Sequence, residues 1–226
     1  MEHELLIKPI AHIQTDFPTK FGVPRQAGLA ETLQGIIVFE PEFQVEEALR
    51  GIEGFSHLWL IWGFSENAGY EWSPTVRPPR LGGNVRMGVF ATRSPFRPNG
   101  LGLSCVRLTG VRRDNVQGNT LLVTGADMVD GTPIYDIKPY LPYADSIPDA
   151  IGGFAPDEGR KLAVQLPETF AAKVPAEKLS GLLAVLEHDP RPRYQEDPAR
   201  IYGMTFAGQE IRFRVEGNIL LVTEIE

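Results

Sequence analysis

The sequence predicts a mainly β protein that ends in a small α+β region. Its 23 glycines and 19 prolines are scattered and separate short apolar runs, which is typical of strands joined by shaped turns. A composition change begins near Ile151, and beyond it a leucine stripe and three strand-like runs predict one helix against a small sheet. The 226 residues suffice for one large domain and a small satellite, which we place at residues 1–155 and 156–226.

The strands of the larger region are predicted from apolar and β-branched runs bounded by glycine, proline or polar clusters. The run HLWLIWGF at residues 57–64 is too apolar for an edge and predicts a central strand. Residues 44–51 have apolar positions at helical spacing and stop at Gly51, and Asp130-Gly131 is a hairpin signal. The predicted strands are residues 5–13, 33–39, 57–64, 85–91, 103–111, 120–126 and 133–137.

The smaller region combines one helix with four strands. Residues 175–188 carry leucines at helical spacing and have Pro175 near their start, so they predict a helix whose leucine stripe packs on the sheet. Apolar and basic positions alternate in residues 209–216, so Arg212 and Arg214 form a basic face. The predicted strands are residues 161–166, 201–206, 209–216 and 218–224.

Composition excludes several classes of protein. No apolar segment approaches the roughly 20 residues needed to span a bilayer, and the N-terminus lacks the pattern of a signal peptide. With Cys105 as the single cysteine, no intramolecular disulfide is possible, and we expect a cytoplasmic protein. The four histidines are scattered, so no metal site is predicted. The net charge of −7 argues against indiscriminate coating of nucleic acid but leaves room for a local basic patch.

The stretch TRSPFRPNGLGLSCVRL at residues 92–108 predicts a rigid loop that enters a strand. Arg93 and Arg97 lie in the loop, and the prolines between and after them fix the backbone. Two guanidinium groups on a stiffened loop form a receptor for a carboxylate or phosphate. The alternative is a connecting loop whose arginines only keep it solvated. A second loop, FPTKFGVPRQAGL at residues 17–29, has the length of a binding loop, with a surface excursion as its alternative.

The segment DIKPYLPYAD at residues 136–145 is the second stretch rich in functional groups. Asp136 and Lys138 alternate around Ile137, so in a strand they point to the same side and can pair or act together. Tyr140 and Tyr143 offer rings for a heteroaromatic ligand. The alternative is a surface ion pair beside packed tyrosines, which contributes little free energy.

The third such stretch, HDPRPRYQ at residues 188–195, places arginines and a tyrosine between prolines. Arg200 and Tyr202 follow closely. Basic residues with an interleaved aromatic ring suit phosphate contacts combined with base stacking. The alternative is a solvated face of the small sheet.

These motifs together, in this order, resemble the bacterial tRNA adenine-37 N6-methyltransferase family. The resemblance rests on ATRSPFRPNGLGLS, DGTPIYDIKPYLPYADS and DPRPRYQ followed by YGMTF, and on GIEGFSHLWLIWGF and FGVPRQAGL in the first half. It implies a single-sheeted antiparallel β-barrel that binds S-adenosylmethionine, a small C-terminal domain that contacts tRNA, and a homodimer. The chain also lacks the glycine-rich strand–helix loop that a Rossmann-type site would need.

The resemblance implies a methyl transfer to N6 of N6-threonylcarbamoyladenosine at position 37, in the anticodon loop of tRNA. The chain departs from the family pattern at Gly100-Leu101, where many relatives have a pair such as Pro-Ile, and at Ser65, where a bulkier polar residue is expected. The implied cofactor contacts are Pro24, Arg25, Gln26, Phe64, Ser65, Arg93, Leu103, Asp136, Ile137, Lys138 and Pro139.

The acceptor nitrogen is a poor nucleophile because its lone pair is delocalised into the ring and the carbamoyl group. Asp136 is our candidate for the base that takes its proton, with Lys138 as its partner or as a clamp for the threonyl carboxylate. Two other classes stay open: a non-catalytic regulator that binds S-adenosylmethionine or a nucleotide, and a plain RNA-binding module. The candidate RNA contacts are Arg97, Arg191, Arg193 and Arg200.

Overall fold

The computed structural model describes residues 4–67, 69–114, 117–191 and 197–226, and within these it is mainly β, as predicted. The strands are β1 Ala11–Gln14, β2 Gln34–Phe39, β3 His57–Gly63, β4 Thr75–Val76, β5 Met87–Gly88, β6 Leu101–Asp114, β7 Gly118–Thr124, β8 Thr132–Pro139, β9 Ala163–Gln165, β10 Tyr202–Phe206, β11 Gln209–Glu216 and β12 Ile219–Ile225. The helices are α1 Pro142–Asp145, α2 Glu168–Ala171 and α3 Ala176–Glu187. No helix in the described ranges is long and apolar enough to cross a membrane.

Six antiparallel strands of the first region form one sheet in the order β1-β2-β7-β6-β3-β8, and β1 also pairs with β8, so the sheet closes into a barrel. Closure leaves no edge strand exposed for pairing with other chains. The interior is filled by alternate side chains, among them the fully buried Leu58 and Leu60 of β3. As predicted, β3 is central, since it pairs with β6 on one side and β8 on the other.

The C-terminal region is a four-stranded sheet in the order β10-β11-β12-β9, covered by α3. The predicted leucine stripe packs inward: Leu182 and Leu186 are fully buried with Phe206 and Phe213 of the sheet. Strand β9 is parallel to β12, and the other pairs are antiparallel. The alternation in β11 is also as predicted, since Phe213 is buried while Arg212 and Arg214 are exposed.

The two regions share the C-terminal apolar core, whereas the barrel interior is a separate core. Phe17, Ala30 and Leu33, which precede or flank the start of β2, are buried in the same cluster as the side chains of α3 and the C-terminal sheet. An ion pair of 2.8 Å joins Lys178 of α3 to Asp16, and both side chains are mostly buried. The loop at residues 17–29 is therefore held between the barrel and the C-terminal sheet, and it is not a free surface excursion.

Three local predictions are wrong. The strand predicted at residues 5–13 begins only at Ala11, and Leu5 and Leu6 before it are exposed. The apolar run at residues 85–91 forms only the short β5 and then a 3₁₀ turn at Val89–Ala91. In this turn the Val89 side chain is buried, and a guanidinium N–H of Arg97 donates to the carbonyl oxygens of Val89 and Thr92. The helical spacing at residues 44–51 gives a single 3₁₀ turn at Glu46–Leu49, which ends where Gly51 takes a φ of 89°. Short apolar runs do not distinguish strand from turn by periodicity alone.

Candidate active site

A cleft of about 620 Å³ opens at one end of the barrel. Because neighbouring strands are antiparallel, β3 and β7 end there, and β6 and β8 begin there. The loop at residues 20–26 and Pro190 and Arg191 of the C-terminal region complete its wall. The predicted cofactor contacts that line the cleft are Pro24, Arg25, Gln26, Phe64, Ser65, Arg93 and Leu103.

The two predicted binding loops meet in this cleft. The Arg93 guanidinium donates a hydrogen bond to the Gln26 side-chain oxygen, although the two residues are 67 positions apart in the chain. Arg25 donates to the carbonyl oxygens of Asp189 at 3.0 Å and of Arg191 at 2.6 Å. The loop at residues 20–26 is thus tied both to the barrel rim and to the C-terminal region.

Arg97 supports the rim from behind. One of its N–H groups donates to the carbonyl oxygens of Thr92 at 2.7 Å and Val89 at 3.3 Å, so the side chain shapes the loop that carries Arg93. Its guanidinium carbon also lies 5.9 Å from the centre of the Phe90 ring. Arg97 lines the cleft, and its remaining N–H groups are the part of it that a ligand can use.

Cationic side chains dominate the charge of the cleft. Five basic residues line it, against two carboxylates, Glu66 and Asp127. A wall of guanidinium groups suits a carboxylate or phosphate. The basic lining residues are Lys20, Arg25, Arg93, Arg97 and Arg191.

Asp127 is a site residue that the sequence analysis missed. Its Oδ1 accepts a hydrogen bond of 2.6 Å from the Ser104 hydroxyl, which in turn accepts one of 2.9 Å from the Trp62 indole N–H. Burial raises the pKa of Asp127, against the lowering effects of Ser104, of the backbone N–H groups of Asp127 and Ala27, and of the Arg93 charge. Asp127 lies just before the DGTPIYDIKPYLPYADS motif, and no local pattern predicts its burial or its hydrogen bond with Ser104.

Asp136 and Lys138 lie together as predicted, but on the outer face of the barrel. Their side chains form an ion pair of 2.7 Å and are 43% and 62% exposed. Neither they nor Ile137 and Pro139 belong to the lining of the cleft. The outward-facing Ile61 of β3 pairs with Leu103 on one side and with Asp136 on the other. Asp136 is therefore two strands, about 10 Å, from the cleft's outer lip at Leu103.

The candidate RNA contacts have different environments. Arg191 makes two hydrogen bonds, of 2.8 and 2.9 Å, to the Asp189 carboxylate, and these bonds raise the pKa of Arg191. Arg200 is exposed, and its guanidinium lies 5.3 Å from the centre of the Tyr202 ring. Arg212 of the predicted basic face is paired with Glu224 at 3.0 Å. Arg193 lies outside the described residues.

Family models match most of the chain. Residues 12–146 match the tRNA-methyltransferase O N-terminal domain, and residues 160–226 match the TrmO C-terminal domain. The chain belongs to the tRNA-methyltransferase O family.

Relatives in this family align along nearly the whole chain. The tRNA (adenine(37)-N6)-methyltransferase of Escherichia coli K12 is 41% identical over 220 residues, which cover 91% of each chain. A Pseudomonas aeruginosa relative, 42% identical over 206 residues that cover 88% of this chain and 87% of that one, has a name that refers to an S-adenosylmethionine-dependent methyltransferase. A crystal structure of TrmO from Pseudomonas aeruginosa matches over 100% of both chains with a TM-score of 0.78 and 32% identity.

The cleft combines aromatic, cationic and acidic groups. Trp62 and Phe64, with ring centres 4.5 Å apart, form an aromatic part of its wall. Arg93 presents a guanidinium group, and Asp127 presents a hydrogen-bond acceptor inside the same cleft. Among the described residues, no three His, Cys, Asp or Glu side chains form a group that could hold a metal ion.

Proposed function

We propose that this protein transfers the methyl group of S-adenosylmethionine to N6 of N6-threonylcarbamoyladenosine at position 37 of tRNA. The observation that carries the proposal is the cationic cleft formed by the two loops on which the family motifs lie, with Arg93 hydrogen-bonded to Gln26. The names of the relatives that align over the whole chain support both the tRNA substrate and the cofactor. Position 37 lies in the anticodon loop, which is therefore the part of tRNA that the protein would bind. We place the activity in the cytoplasm, where such a substrate is found.

The reaction is an in-line displacement at the methyl carbon. The N6 lone pair forms the new N–C bond while the S–C bond breaks and its electron pair stays on sulfur, which leaves S-adenosylhomocysteine. The N6 proton must leave to a base. We assign that role to Asp136, with Lys138 as its partner or as a clamp for the threonyl carboxylate, and the 2.7 Å ion pair has to open for the transfer.

The proposed cofactor contacts comprise the cleft-lining residues and the segment Asp136–Pro139, in which Asp136 and Lys138 lie on the neighbouring outer face. Leu103, which is 56% exposed, connects the two because it lies across Ile61 from Asp136. We propose a homodimer in which a second copy covers this outer strip, since it presents apolar side chains beside an ion pair. Sedimentation velocity measures the state directly, and a monomer at all concentrations would contradict the dimer.

One experiment separates this proposal from its alternatives. The protein is incubated with methyl-labelled S-adenosylmethionine and with tRNA that contains or lacks the threonylcarbamoyl group. Methyl incorporation into the modified tRNA alone supports the enzyme. Cofactor binding without incorporation supports a regulator, and RNA binding without the cofactor supports an RNA-binding module. In the same assay Asp136→Asn is expected to lose turnover, and full turnover would exclude Asp136 as the base.

The proposed tRNA contacts are Arg97, Arg191, Arg193 and Arg200. Arg200 is the sharpest to test, because its side chain is exposed and makes no described hydrogen bond or ion pair. Arg200→Gln is expected to weaken tRNA binding and to reduce the slope of log affinity against log salt by about one. Arg212→Gln is the matched control, since its guanidinium is already paired with Glu224. An unchanged slope for Arg200→Gln would remove it from the RNA contact.

A further inference from the structure

Asp127 is a carboxylate held at the inner wall of the cleft. It follows β7 and faces the interior end of the barrel, where Ser104 of β6 and Trp62 of β3 line up behind it. The hydrogen-bond direction is fixed along this row, because the indole N–H can only donate and the Ser104 hydroxyl must then donate to the carboxylate. The hydrogen bonds from Trp62 to Ser104 and from Ser104 to Asp127 therefore fix the orientation of the Asp127 carboxylate.

The same carboxylate is bound to the loop that carries Gln26. The backbone N–H of Ala27 donates to Asp127, and Ala27 directly follows Gln26, whose side chain accepts a hydrogen bond from Arg93. Asp127 and Arg93 therefore sit on either side of one short segment of backbone, with opposite charges that face the same cleft. Their placement does not depend on side-chain flexibility, since both are held by hydrogen bonds to neighbouring elements.

A purely structural role does not require a charge at this position. The Asp127 side chain accepts hydrogen bonds from Ser104 and from backbone N–H groups, and a neutral asparagine oxygen can accept bonds as well. Burial raises the pKa of Asp127, so the ionised form costs free energy in the folded protein at neutral pH. Ionisable groups with such an environment in a cleft are concentrated at functional sites.

We infer that Asp127 and Arg93 form the receptor for the amino-acid end of the cofactor, with Asp127 bound to the α-ammonium group and Arg93 to the α-carboxylate. This inference rests on the proposed use of S-adenosylmethionine. The amino-acid end is a zwitterion, and a carboxylate next to a guanidinium in one cleft is complementary to it. The other lining carboxylate, Glu66, is exposed at the rim.

The arrangement would also restrict the bound cofactor. With its amino-acid end held by Arg93 and Asp127, the rest of the cofactor would remain in the same cleft, which Leu103 also lines. Fixing one end of a flexible donor in this way reduces the orientational freedom that a displacement reaction must otherwise overcome.

The test compares ligands that differ only at the amino-acid end. Calorimetry measures the binding of S-adenosylhomocysteine, of its decarboxylated analogue and of 5′-methylthioadenosine, which lacks the amino-acid end. Asp127→Asn is expected to lose about 10- to 100-fold in affinity for the first two ligands, which carry the ammonium group, and to bind methylthioadenosine as the wild type does. Arg93→Gln is expected to lose affinity only for S-adenosylhomocysteine, which alone carries the carboxylate. Asp130→Asn, three residues along the chain and outside the cleft, is the control and should bind all three normally.

A second measurement distinguishes a ligand contact from a structural role. Asp127→Asn removes a charge whose burial is unfavourable, so its melting temperature is expected to equal or exceed that of the wild type. Equal loss of affinity for all three ligands, or wild-type affinity for S-adenosylhomocysteine, would overturn the inference. A wild-type protein that binds none of the ligands would overturn it too. A protein that shows the expected binding pattern but methylates no tRNA would instead contradict the proposed function.

Discussion

The orientation and the pKa of a cleft side chain depend on its buried hydrogen-bond partners. Ser104 is 2% exposed, yet its hydroxyl links the Trp62 indole to the Asp127 carboxylate. A serine facing the interior of a barrel needs such partners, because a buried hydroxyl without a hydrogen bond is unfavourable. The core thus supplies both the orientation of Asp127 and part of its ionisation behaviour.

The pH dependence of cofactor binding follows from Asp127. Its raised pKa means that the carboxylate takes up a proton at a higher pH than an ordinary aspartate, and the charged group that faces it from the neighbouring loop, Arg93, opposes this shift. We expect the affinity for S-adenosylhomocysteine to fall on acidification as Asp127 loses its charge, which isothermal calorimetry across the acidic range measures. The affinity of Asp127→Asn should not show this fall at acidic pH, which we call the acid limb of binding.

Ser104→Ala provides the matched variant for this prediction. The Ser104 hydrogen bond favours the ionised carboxylate, so its removal is expected to raise the pKa of Asp127 further and to move the acid limb of binding to higher pH. An acid limb at the same pH in wild type and Ser104→Ala would show that another group titrates. A limb that shifts to lower pH would contradict the direction of the hydrogen bond.

At the scale of elements, β3 and β6 bring an indole and a glycine face to face. Trp62 and Gly102 are cross-strand partners, and a Cβ atom on Gly102 would overlap the Trp62 ring. The missing side chain lets the ring lie flat on the backbone of β6, where it forms part of the cleft wall.

Gly102→Ala is therefore expected to displace Trp62, to destabilise the protein by about 1–3 kcal/mol and to weaken cofactor binding. Chemical denaturation and calorimetry measure the two effects. Gly100→Ala, two residues earlier in the same stretch, meets no atom within 4 Å and should leave both quantities near those of the wild type. Equal effects of the two substitutions would refute the steric explanation.

The strands themselves were largely predictable, because β2, β3, β7, β8 and the three C-terminal strands are apolar runs ended by turn residues. The sequence did not predict which side chains of β6 point into the barrel. In that strand the polar Ser104 points inward, while Leu103 is 56% exposed and Cys105 is only half-buried on the outer side. A pattern of apolar and polar residues assigns the apolar ones to the core. It therefore predicts the wrong inward-facing residues in a strand such as β6, where a polar side chain is buried in hydrogen bonds and apolar side chains are exposed.

For the candidate site, the sequence located the loops but not Asp127. Arg93 stood out because prolines fix the loop around it, whereas Gln26 was implied by the family resemblance, and the structure joins the two by a hydrogen bond. Asp127 acquires its properties from Ser104, Trp62 and Ala27, three residues remote in the chain. Burial and long-range partners of this kind are not encoded in any local pattern.

At the scale of the whole molecule, the cleft depends on contact between the two regions. The ion pair of Asp16 with Lys178 leaves only 14% and 25% of the two side chains exposed, and it lies beside the loop at residues 17–29. Lys178→Met leaves the Asp16 carboxylate without its cation in a mostly buried position, and we expect a loss of roughly 1–3 kcal/mol of stability. We also expect weaker cofactor binding, since the loop that carries Arg25 and Gln26 loses an anchor.

Lys161→Met is the control, because its ion pair with Glu158 is 3.6 Å long and exposed. Denaturant melts and calorimetry compare the two variants. Wild-type affinity in Lys178→Met together with lowered stability would show that the loop is held by other contacts alone, such as the hydrogen bond from the Ala207 N–H to the Asp16 carbonyl at 3.0 Å.

The shared core also limits how the two family segments can be exchanged between relatives. Phe17, Ala30 and Leu33 belong by sequence to the segment that contains the barrel, but their side chains are packed among those of residues 160–226. A chimera spliced between residues 146 and 160 would pair these three side chains with a foreign helix and sheet. A chimera that preserves this packing has to transfer residues 17–33 together with the C-terminal domain. The residues that must be exchanged together are therefore discontinuous in the chain.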